Sequence, residues 1–307
     1  MYSPPSFPVT EDGLKDAREH LNVEGYVLLS GIFGPDLETL KYLFIKDLQQ
    51  INPKLNITPD ELFTQKMDCD YPGGRLFGLL GEYGLCHGEA AWEVRTHSKV
   101  LDSYAAILDI PKERLICSFD SIGYSTSDCE TTEMRWLHTD QPAEDKETCN
   151  LKSFQGIYYA TETNEYTATT AVIPGTHHVV RSQTSIDQER DWDKTVRLKI
   201  PADTLLIFNS KLIHQGWHGP NRLCFMICYS DKLARTEQSR QMKIYMYIHG
   251  LRSTHWSQFP RIHGPKHVQR LENKEFHDLV PRLTGIPSKG YYSDIDELIP
   301  SERLALF

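Results

Sequence analysis

The sequence contains no apolar run long enough to cross a membrane, and its first residues lack the basic and then apolar pattern of a secretory signal. It has no two cysteines in a CxxC spacing, and its seven cysteines are an odd number. A disulfide framework or a structural zinc site therefore has no support, and the thiols are expected to be reduced. These absences predict a cytoplasmic protein without a membrane partner.

Positive charge is scarce as well, because the formal net charge at pH 7 is -9 over 307 residues. An acidic chain is not expected to bind phosphate backbones broadly, so nucleic acid is not the expected partner. Repeats and low-complexity tracts are also missing, and the length is sufficient to bury a substantial core. A globular protein is expected, and its oligomeric state is left open.

Helical patterns are concentrated in the first third of the chain. Thr10 is placed to cap a helix whose apolar positions recur at helical spacing, and Gly25 is placed to end it. The same reasoning predicts that helices begin at Thr10, Asp36, Thr58 and Ser98.

After Pro111 the pattern changes to short strands separated by turn residues. Many short strands favour a sandwich or barrel over a sheet that alternates with helices. We predict a mainly β fold with packed helices, built on a double-stranded β-helix core of the jelly-roll or cupin-like kind. We expect one domain, with mostly helical support over residues 1–110, the core over 111–231 and a C-terminal helical extension over 232–307. The predicted strands are 115–122, 134–138, 154–161, 168–173, 196–200, 204–208 and 222–229, and a helix is predicted near 237–248.

The segment RWLHTDQ, residues 135–141, places an imidazole and a carboxylate two residues apart. On a strand such residues project from the same face, so His138 and Asp140 could reach one ion. An isolated His-x-Asp is a weak signal, but His214 offers a third ligand after an apolar strand and a short polar turn. Two imidazoles and one carboxylate form the facial triad that suits non-haem Fe(II) and leaves coordination positions open. We therefore predict that these three residues bind a catalytic metal ion.

Arg222 opens the apolar strand 222–229. A lone cation at the head of an apolar run calls for an anionic partner. This arginine could therefore hold a dicarboxylate whose other end lies on the metal.

Four features in this order resemble the signature of the phytanoyl-CoA dioxygenase family of Fe(II)- and 2-oxoglutarate-dependent oxygenases. They are His138-Thr139-Asp140, the loop VIPGTH at 172–177, the strand end LIF that leads to His214, and Arg222. The segment 23–33 is similar to the opening of that family, so the resemblance covers roughly the first three quarters of the chain. This chain departs from familiar members in a slightly shorter interval between His214 and Arg222, and in an unusual Trp217-His218.

The resemblance implies a function. Fe(II) would be held by the three ligands, 2-oxoglutarate would chelate it, and the far carboxylate of 2-oxoglutarate would pair with Arg222. Tyr158 would donate a further hydrogen bond to that carboxylate, although a tyrosine in such a strand is more often a core residue. With O2 as the other co-substrate, succinate and CO2 would be released, and hydroxylation of an unactivated C–H bond in a small organic molecule is the usual outcome. Desaturation or ring closure would use the same oxidant.

The substrate itself is not specified by the sequence. Arg135, Gln141 and Gln155 are candidate substrate contacts, and the irregular stretch 67–87 is a candidate lid. Two alternatives stay open. The first is an oxygenase acting on a protein or nucleic-acid group, for which the basic, aromatic tail beyond Asp231 is the only support. The second is a non-catalytic jelly-roll binding protein.

The carboxylate of Asp140 separates two reaction outcomes. Halogenases of this general chemistry lack that carboxylate so that chloride can bind the iron, and Asp140 would block the halide. Incubation with Fe(II), 2-oxoglutarate and chloride is therefore expected to give no chlorinated product by mass spectrometry. A chlorinated product that grows with the chloride concentration would contradict this prediction.

Overall fold

Residues 1–64, 79–80, 84–130, 134–146, 149–248, 250–253 and 279–285 are described by the computed structural model of the chain. Their contacts divide the chain into two units that alternate along the sequence. The first unit comprises Met1–Leu37, Asp60–Leu79 and Gly123–Cys224, and the second comprises Glu38–Pro59, Leu80–Ile122 and Phe225–Phe307. The single domain with boundaries near residues 110 and 231 stays a prediction.

Within these described ranges the strands form one large sheet and two small ones. They are β1 (Ser6–Pro8), β2 (Tyr26–Ser30), β3 (Leu79–Leu80), β4 (Leu115–Cys117), β5 (Ile122–Ser125), β6 (Phe154–Tyr159), β7 (Thr169–Ile173), β8 (Val196–Arg197), β9 (Thr204–Asn209), β10 (Ile213–Trp217), β11 (Arg222–Met226) and β12 (Tyr229–Asp231). The large sheet has the order β1-β2-β9-β6-β11-β5-β3, the three-stranded sheet has the order β10-β7-β8, and β12 pairs with β4.

The core of the first unit lies between the large sheet and the three-stranded sheet. Leu206 and Phe208 of β9 belong to one buried cluster with Tyr159 of β6 and Val172 of β7. The alternate residues Leu205 and Ile207 are also fully buried, so β9 is apolar on both of its faces, as its sequence predicts. The two sheets therefore enclose a sandwich core of the jelly-roll kind.

The described helices are α1 (Glu11–Glu24), α2 (Leu37–Ile51), α3 (Glu89–Thr96), α4 (Ser98–Leu108), α5 (Glu237–Ile248) and α6 (Leu279–Thr284). The start and end predicted for α1 are confirmed, because the Thr10 side chain accepts a hydrogen bond from Gly13 N at 3.2 Å and Gly25 ends the helix with a φ of 85°. A side chain at position 25 is further excluded, since its Cβ would lie 2.4 Å from Nδ1 of His177. Among the described residues, no helix has the length and apolar character needed to span a membrane.

The second unit contains most of the remaining helices. Asp47 of α2 accepts hydrogen bonds from the backbone nitrogens of Glu89 and Ala90, each at 2.9 Å, and so caps the start of α3. Helix α3 was not predicted, whereas α4 and α5 are confirmed. The helix predicted at Thr58 is wrong, because only a 3-10 turn forms at Pro59–Glu61.

Several strand predictions need correction. The single strand predicted at 115–122 is two strands, because Ser121 N donates to the side chain of Asp120 and Phe119 N donates to Ser253 Oγ instead of continuing a ladder. The strand predicted at 222–229 is likewise two strands, and β10 was not predicted. The candidate lid at 67–87 falls largely outside the described residues, which include only β3 and residues 84–87 of that stretch.

Asp203 joins the first turn after β2 to the large sheet. Its carboxylate accepts hydrogen bonds from Phe33 N at 2.7 Å, from Gly34 N at 2.8 Å and from the Tyr158 hydroxyl at 2.8 Å. Asp203 has a φ of 58°, a backbone conformation that few residues adopt without strain. Burial, and then the negative charge of Asp203, raise the pKa of Tyr158, so this hydroxyl stays a donor.

Replacing Asp203 with alanine is expected to lower the free energy of unfolding by about 2 kcal/mol or more, because three donors lose their acceptor. Tyr158→Phe removes only one of these donors and is expected to cost about 1 kcal/mol. Equilibrium urea unfolding measures both changes. Equal losses in the two variants would contradict this account of Asp203.

Candidate metal centre

The backbone of residues 134–140 pairs with the backbone of the three-stranded sheet at one residue pair, His138 and His214. His138 N donates to His214 O at 3.0 Å, and His214 N donates to His138 O at 3.0 Å. This reciprocal exchange is that of a single antiparallel pair, and it forms an isolated bridge. It brings together two histidines that are far apart in the sequence.

The strand predicted at 134–138 is therefore wrong. The neighbouring backbone groups bond to side-chain amides rather than to another strand, since Trp136 N donates to Gln215 Oε1 at 3.0 Å and Leu137 N donates to Gln188 Oε1 at 2.7 Å. Side chains nevertheless alternate as on a strand. Leu137 packs with Ile213 in one apolar cluster, while His138 lies on the other side with His214.

Three side chains converge at this bridge. The ligand atoms of His138, Asp140 and His214 all lie within 4.8 Å of one another. Nε2 of His214 is 3.1 Å from Oδ2 of Asp140, and Nε2 of His138 is 3.7 Å from Oδ1 of the same carboxylate. The three residues predicted from the sequence therefore meet in space with a geometry that one ion could bridge.

The hydrogen bonds of the two imidazoles select their tautomers. Nδ1 of His138 lies 3.0 Å from the carbonyl oxygen of Trp136, and Nδ1 of His214 lies 2.9 Å from that of Leu212. A carbonyl oxygen only accepts, so each Nδ1 carries the hydrogen and donates it. In the neutral imidazole each Nε2 then has the lone pair, which is the form that binds a metal ion.

Asp140 is also held in place. Gln155 of β6 donates from Nε2 to Oδ2 of Asp140, and Asp140 N donates to Ser210 O at 2.9 Å. Only 8% of the Asp140 side chain and 8% of the His214 side chain are exposed. Gln155 was predicted to contact substrate, but the structure places its amide on the predicted metal ligand.

The other residues predicted to bind substrate lie elsewhere. Arg135 lies on the opposite side of its segment from His138, with its guanidinium 5.1 Å from the ring centre of Trp192. Gln141 is buried, and its amide donates to Leu151 O at 3.0 Å. The alternation of side chains turns Arg135 away from the side of His138, and burial encloses Gln141. Their contact with a substrate stays a prediction.

Tyr158 does not lie with the metal-facing residues either. Side chains alternate along β6, so Tyr158 projects from the face opposite to Gln155. There its hydroxyl donates to Asp203, and its ring centre lies 5.2 Å from the ring centre of Phe33. This placement disagrees with the predicted hydrogen bond to 2-oxoglutarate. The next residue, Tyr159, shares the face of Gln155.

Tyr159 and Arg222 lie on the inner side of the sandwich. Arg222 is 6% exposed, and Gly123 of β5 leaves room for it, since a Cβ there would lie 3.0 Å from Nε of Arg222. The hydroxyls of Tyr159 and Thr170 are 2.8 Å apart. Burial raises the pKa of Tyr159, and the positive charge of Arg222 offsets part of that rise. Sequence reasoning missed Tyr159, although the period of two from Gln155 points to it.

Trp136 was also missed as a functional candidate. Its indole stacks on the imidazole of His138, with the ring centres 4.5 Å apart and the planes at 16°. It is 39% exposed and donates from Nε1 to Gly216 O at 3.1 Å. An aromatic face therefore borders the metal-facing side next to a predicted ligand.

This donor set is chemically suited to a divalent transition metal. Neutral imidazole nitrogens and a carboxylate are the ligands of non-haem Fe(II) sites, where three protein ligands leave the remaining coordination positions open. The buried amide of Gln155 and the two backbone carbonyls would orient the ligands, as partners outside the ligand set do in metal sites. The residues present therefore fit a resident iron ion.

Comparison with known proteins assigns the fold to a class. No family model matches the sequence. The chain is 21% identical over 276 residues to the Ava biosynthesis cluster protein O of Aspergillus versicolor, covering 78% of this chain and 85% of that protein.

Solved structures with the same fold include non-haem iron enzymes. The alpha-ketoglutarate-dependent epimerase SnoN from nogalamycin biosynthesis matches with a TM-score of 0.52 and 12% identity, over 72% of this chain and 82% of its own. EctD from S. alaskensis with bound Fe matches with a TM-score of 0.51 and 14% identity, over 76% and 81%. Against EvdMO1, with a TM-score of 0.50 and 12% identity, the match covers 70% of this chain but only 49% of that one. The jelly-roll, cupin-like fold class is thereby confirmed.

Replacing His214 with alanine is expected to abolish metal binding, because only two ligand side chains remain. Added Co(II) should stabilise the wild type by about 2.7 kcal/mol at a concentration 100 times the Kd, which a thermal melt would show as a higher Tm. His178→Ala, outside the three-ligand set, is the matched control and should keep the shift. An unchanged shift in His214→Ala would contradict the assignment.

Proposed function

We propose that this protein is an Fe(II)- and 2-oxoglutarate-dependent oxygenase that oxidises an unactivated C–H bond of a small organic molecule. Succinate and CO2 would be released, and O2 would be consumed. The observation that carries this proposal is the meeting of two Nε2 atoms, from His138 and His214, with the carboxylate of Asp140. The resemblance of the motifs to the phytanoyl-CoA dioxygenase family supports the same class.

Similar solved structures support the choice of cofactors. SnoN has been solved in complex with Fe3+, alpha ketoglutarate and nogalamycin RO, and that complex matches this chain with a TM-score of 0.50 at 10% identity. EctD has been solved with bound Fe. The bound groups are those of SnoN and EctD, and a shared fold with a matching donor set makes iron and 2-oxoglutarate our proposal here.

His138, Asp140 and His214 would hold the iron. Arg222 would bind the far carboxylate of 2-oxoglutarate, because its planar guanidinium can give two parallel charge-assisted hydrogen bonds. Tyr159, on the inner face of β6, replaces Tyr158 as the tyrosine nearest to this role. Bound iron would supply, with O2 and 2-oxoglutarate, the oxidising power that removes a hydrogen atom from the substrate.

Residues around the three ligands orient the ligand side chains and provide an apolar surface beside them. The two backbone carbonyls that accept from Nδ1 keep each Nε2 free of a proton at the metal. Gln155 donates to one oxygen of Asp140 and thereby restricts rotation of the carboxylate. The indole of Trp136 covers one face of the His138 imidazole and presents an aromatic surface beside it. Substrates with an apolar or aromatic part would pack there.

Two other functions are separated from this one by simple measurements. An oxygenase acting on a protein or nucleic-acid group would draw on the basic tail beyond Asp231, so replacing Arg261 and Lys266 of that tail with glutamine would lower turnover. A non-catalytic binding protein would show no visible absorption band when Fe(II) and 2-oxoglutarate are mixed with it under anaerobic conditions. The three-ligand geometry favours an oxygenase over a non-catalytic binding protein. The formal net charge of -9 favours a small molecule over nucleic acid as its substrate.

Succinate release is the direct test. Wild-type protein with Fe(II), 2-oxoglutarate and O2 is expected to form succinate, in a screen of amino acids, acyl thioesters, terpenoids and peptides as substrates. His138→Ala should lower the rate more than about 100-fold, because even partners outside the ligand set contribute about 10–100-fold in metal sites. His178→Ala should retain the wild-type rate.

Succinate formation that persists in His138→Ala, or that needs neither Fe(II) nor 2-oxoglutarate, would exclude this chemistry at the three-ligand site.

A further inference from the structure

We infer that three glutamines, Gln183, Gln188 and Gln215, act as positioning residues that fix the imidazole of His138. None of them is a predicted metal ligand, and each bonds the backbone of residues 134–139 through both ends of its amide. We call this set the glutamine clamp. The inference rests on the proposed metal centre, whose ligand His138 it would hold.

Gln215 forms the side of the clamp next to His214. Its Oε1 accepts from Trp136 N at 3.0 Å, and its Nε2 donates to Met134 O at 2.9 Å. These bonds connect two further residues of the segment, Met134 and Trp136, to β10 beside the backbone pair of His138 and His214. The side chain of Gln215 thus takes the place that a longer ladder would occupy.

Gln188 forms the opposite side. Its Oε1 accepts from Leu137 N at 2.7 Å, and its Nε2 donates to Leu137 O at 2.8 Å. One amide therefore satisfies both polar groups of the residue that directly precedes His138. A neighbouring strand would make the same two bonds to this residue.

Gln183 completes that side at the residue that follows His138. Its Oε1 accepts from Thr139 N at 3.1 Å, and its Nε2 donates to Leu137 O at 3.4 Å. Gln183 and Gln188 thus bond the residues on both sides of His138. Rotation of the backbone at His138 would break these bonds.

The clamp has a physical reason. A side-chain amide has the same kinds of donor and acceptor as a peptide group. It can therefore bond the backbone N–H and C=O groups at the edge of an extended segment without a second strand. The two backbone dihedrals of His138, φ and ψ, set the direction of its Cβ relative to its neighbours, and bonds to both neighbours restrict them. The Nδ1 of His138 bonds Trp136 O, and Gln215 holds Trp136 in turn. The clamp therefore acts on both the backbone and the tautomer of His138.

Gln183 is itself anchored beyond Asp140. Its backbone nitrogen donates to both oxygens of Glu144, at 3.0 and 3.2 Å, and Ala143 N donates to Arg181 O at 2.8 Å. The hydroxyl of Ser182 also donates to Glu144, and this bond lowers the pKa of the Glu144 carboxyl. Ala143 and Glu144, which follow Asp140 in the chain, thus hold the loop that carries Gln183 and Gln188.

The test replaces Gln188 with methionine, which has a similar length and cannot make either hydrogen bond. Two quantities are measured. They are the Kd for Co(II) alone and the hydrogen exchange rates of two amides in metal-free protein, that of Leu137, which donates to Gln188, and that of Thr139, which donates to Gln183. We expect the Kd to rise about tenfold, as for other residues that orient metal ligands. We expect Leu137 exchange to be about tenfold faster, as the loss of one hydrogen bond allows.

Two further variants show whether the effect comes from the lost hydrogen bonds of Gln188. Gln188→Glu keeps the acceptor for Leu137 N and loses only the donor, so its Co(II) affinity should fall between those of the wild type and Gln188→Met. Gln241→Met on α5 loses one hydrogen bond to Glu237 at 3.4 Å and is the matched control, with Kd and exchange unchanged.

The outcomes separate the clamp from the proposed function. Faster Leu137 exchange with an unchanged Co(II) Kd would make the glutamines merely structural and overturn the inference. Unchanged exchange would also overturn it. A wild type that binds no Co(II) would reject the metal centre and overturn the positioning role that rests on it, whereas a wild type that binds Co(II) with a Kd equal to that of Gln188→Met would overturn the positioning role alone.

Discussion

One antiparallel pair of backbone hydrogen bonds, between His138 and His214, is the constraint on which the candidate site depends. It is the point where two distant parts of the chain meet, and it places both imidazoles on the same side. Asp140 follows two residues after His138, so the same pair also brings the carboxylate within reach. If this bridge were lost, the three donor atoms would have no common position.

The surroundings of the bridge divide into two faces with different tasks. On the outer face, Leu137 packs with Ile173, Ile213 and Ile186, which holds the segment through apolar contact. On the inner face, the imidazoles, the carboxylate and the indole of Trp136 lie together. Burial of the apolar face stabilises a segment that has no ladder of hydrogen bonds to a neighbouring strand. The polar face is left available for metal binding and chemistry.

The meeting of His138, Asp140 and His214 could be predicted from the sequence, because His-x-Asp, a later histidine and Arg222 occur in a recognisable order. The local structure could not, because Gln183 and Gln188 replace a strand from about fifty residues away, and no local pattern shows such long-range bonds. The sequence alone does not say whether Tyr158 or Tyr159 faces the metal side, because either alternate set of residues on a strand could do so. The bond from Gln155 to Asp140 identifies the set that contains Tyr159. The period of two that joins His138 to Asp140 already places Arg135 on the opposite side of the segment.

The most direct measurement is a crystal structure of the protein loaded with Fe(II) under anaerobic conditions, with the iron located by anomalous scattering. The account predicts one iron ion bound by Nε2 of His138, Nε2 of His214 and a carboxylate oxygen of Asp140, with both Nδ1 atoms still donating to backbone carbonyls. Iron bound elsewhere, or bound through Nδ1 of either histidine, would contradict it.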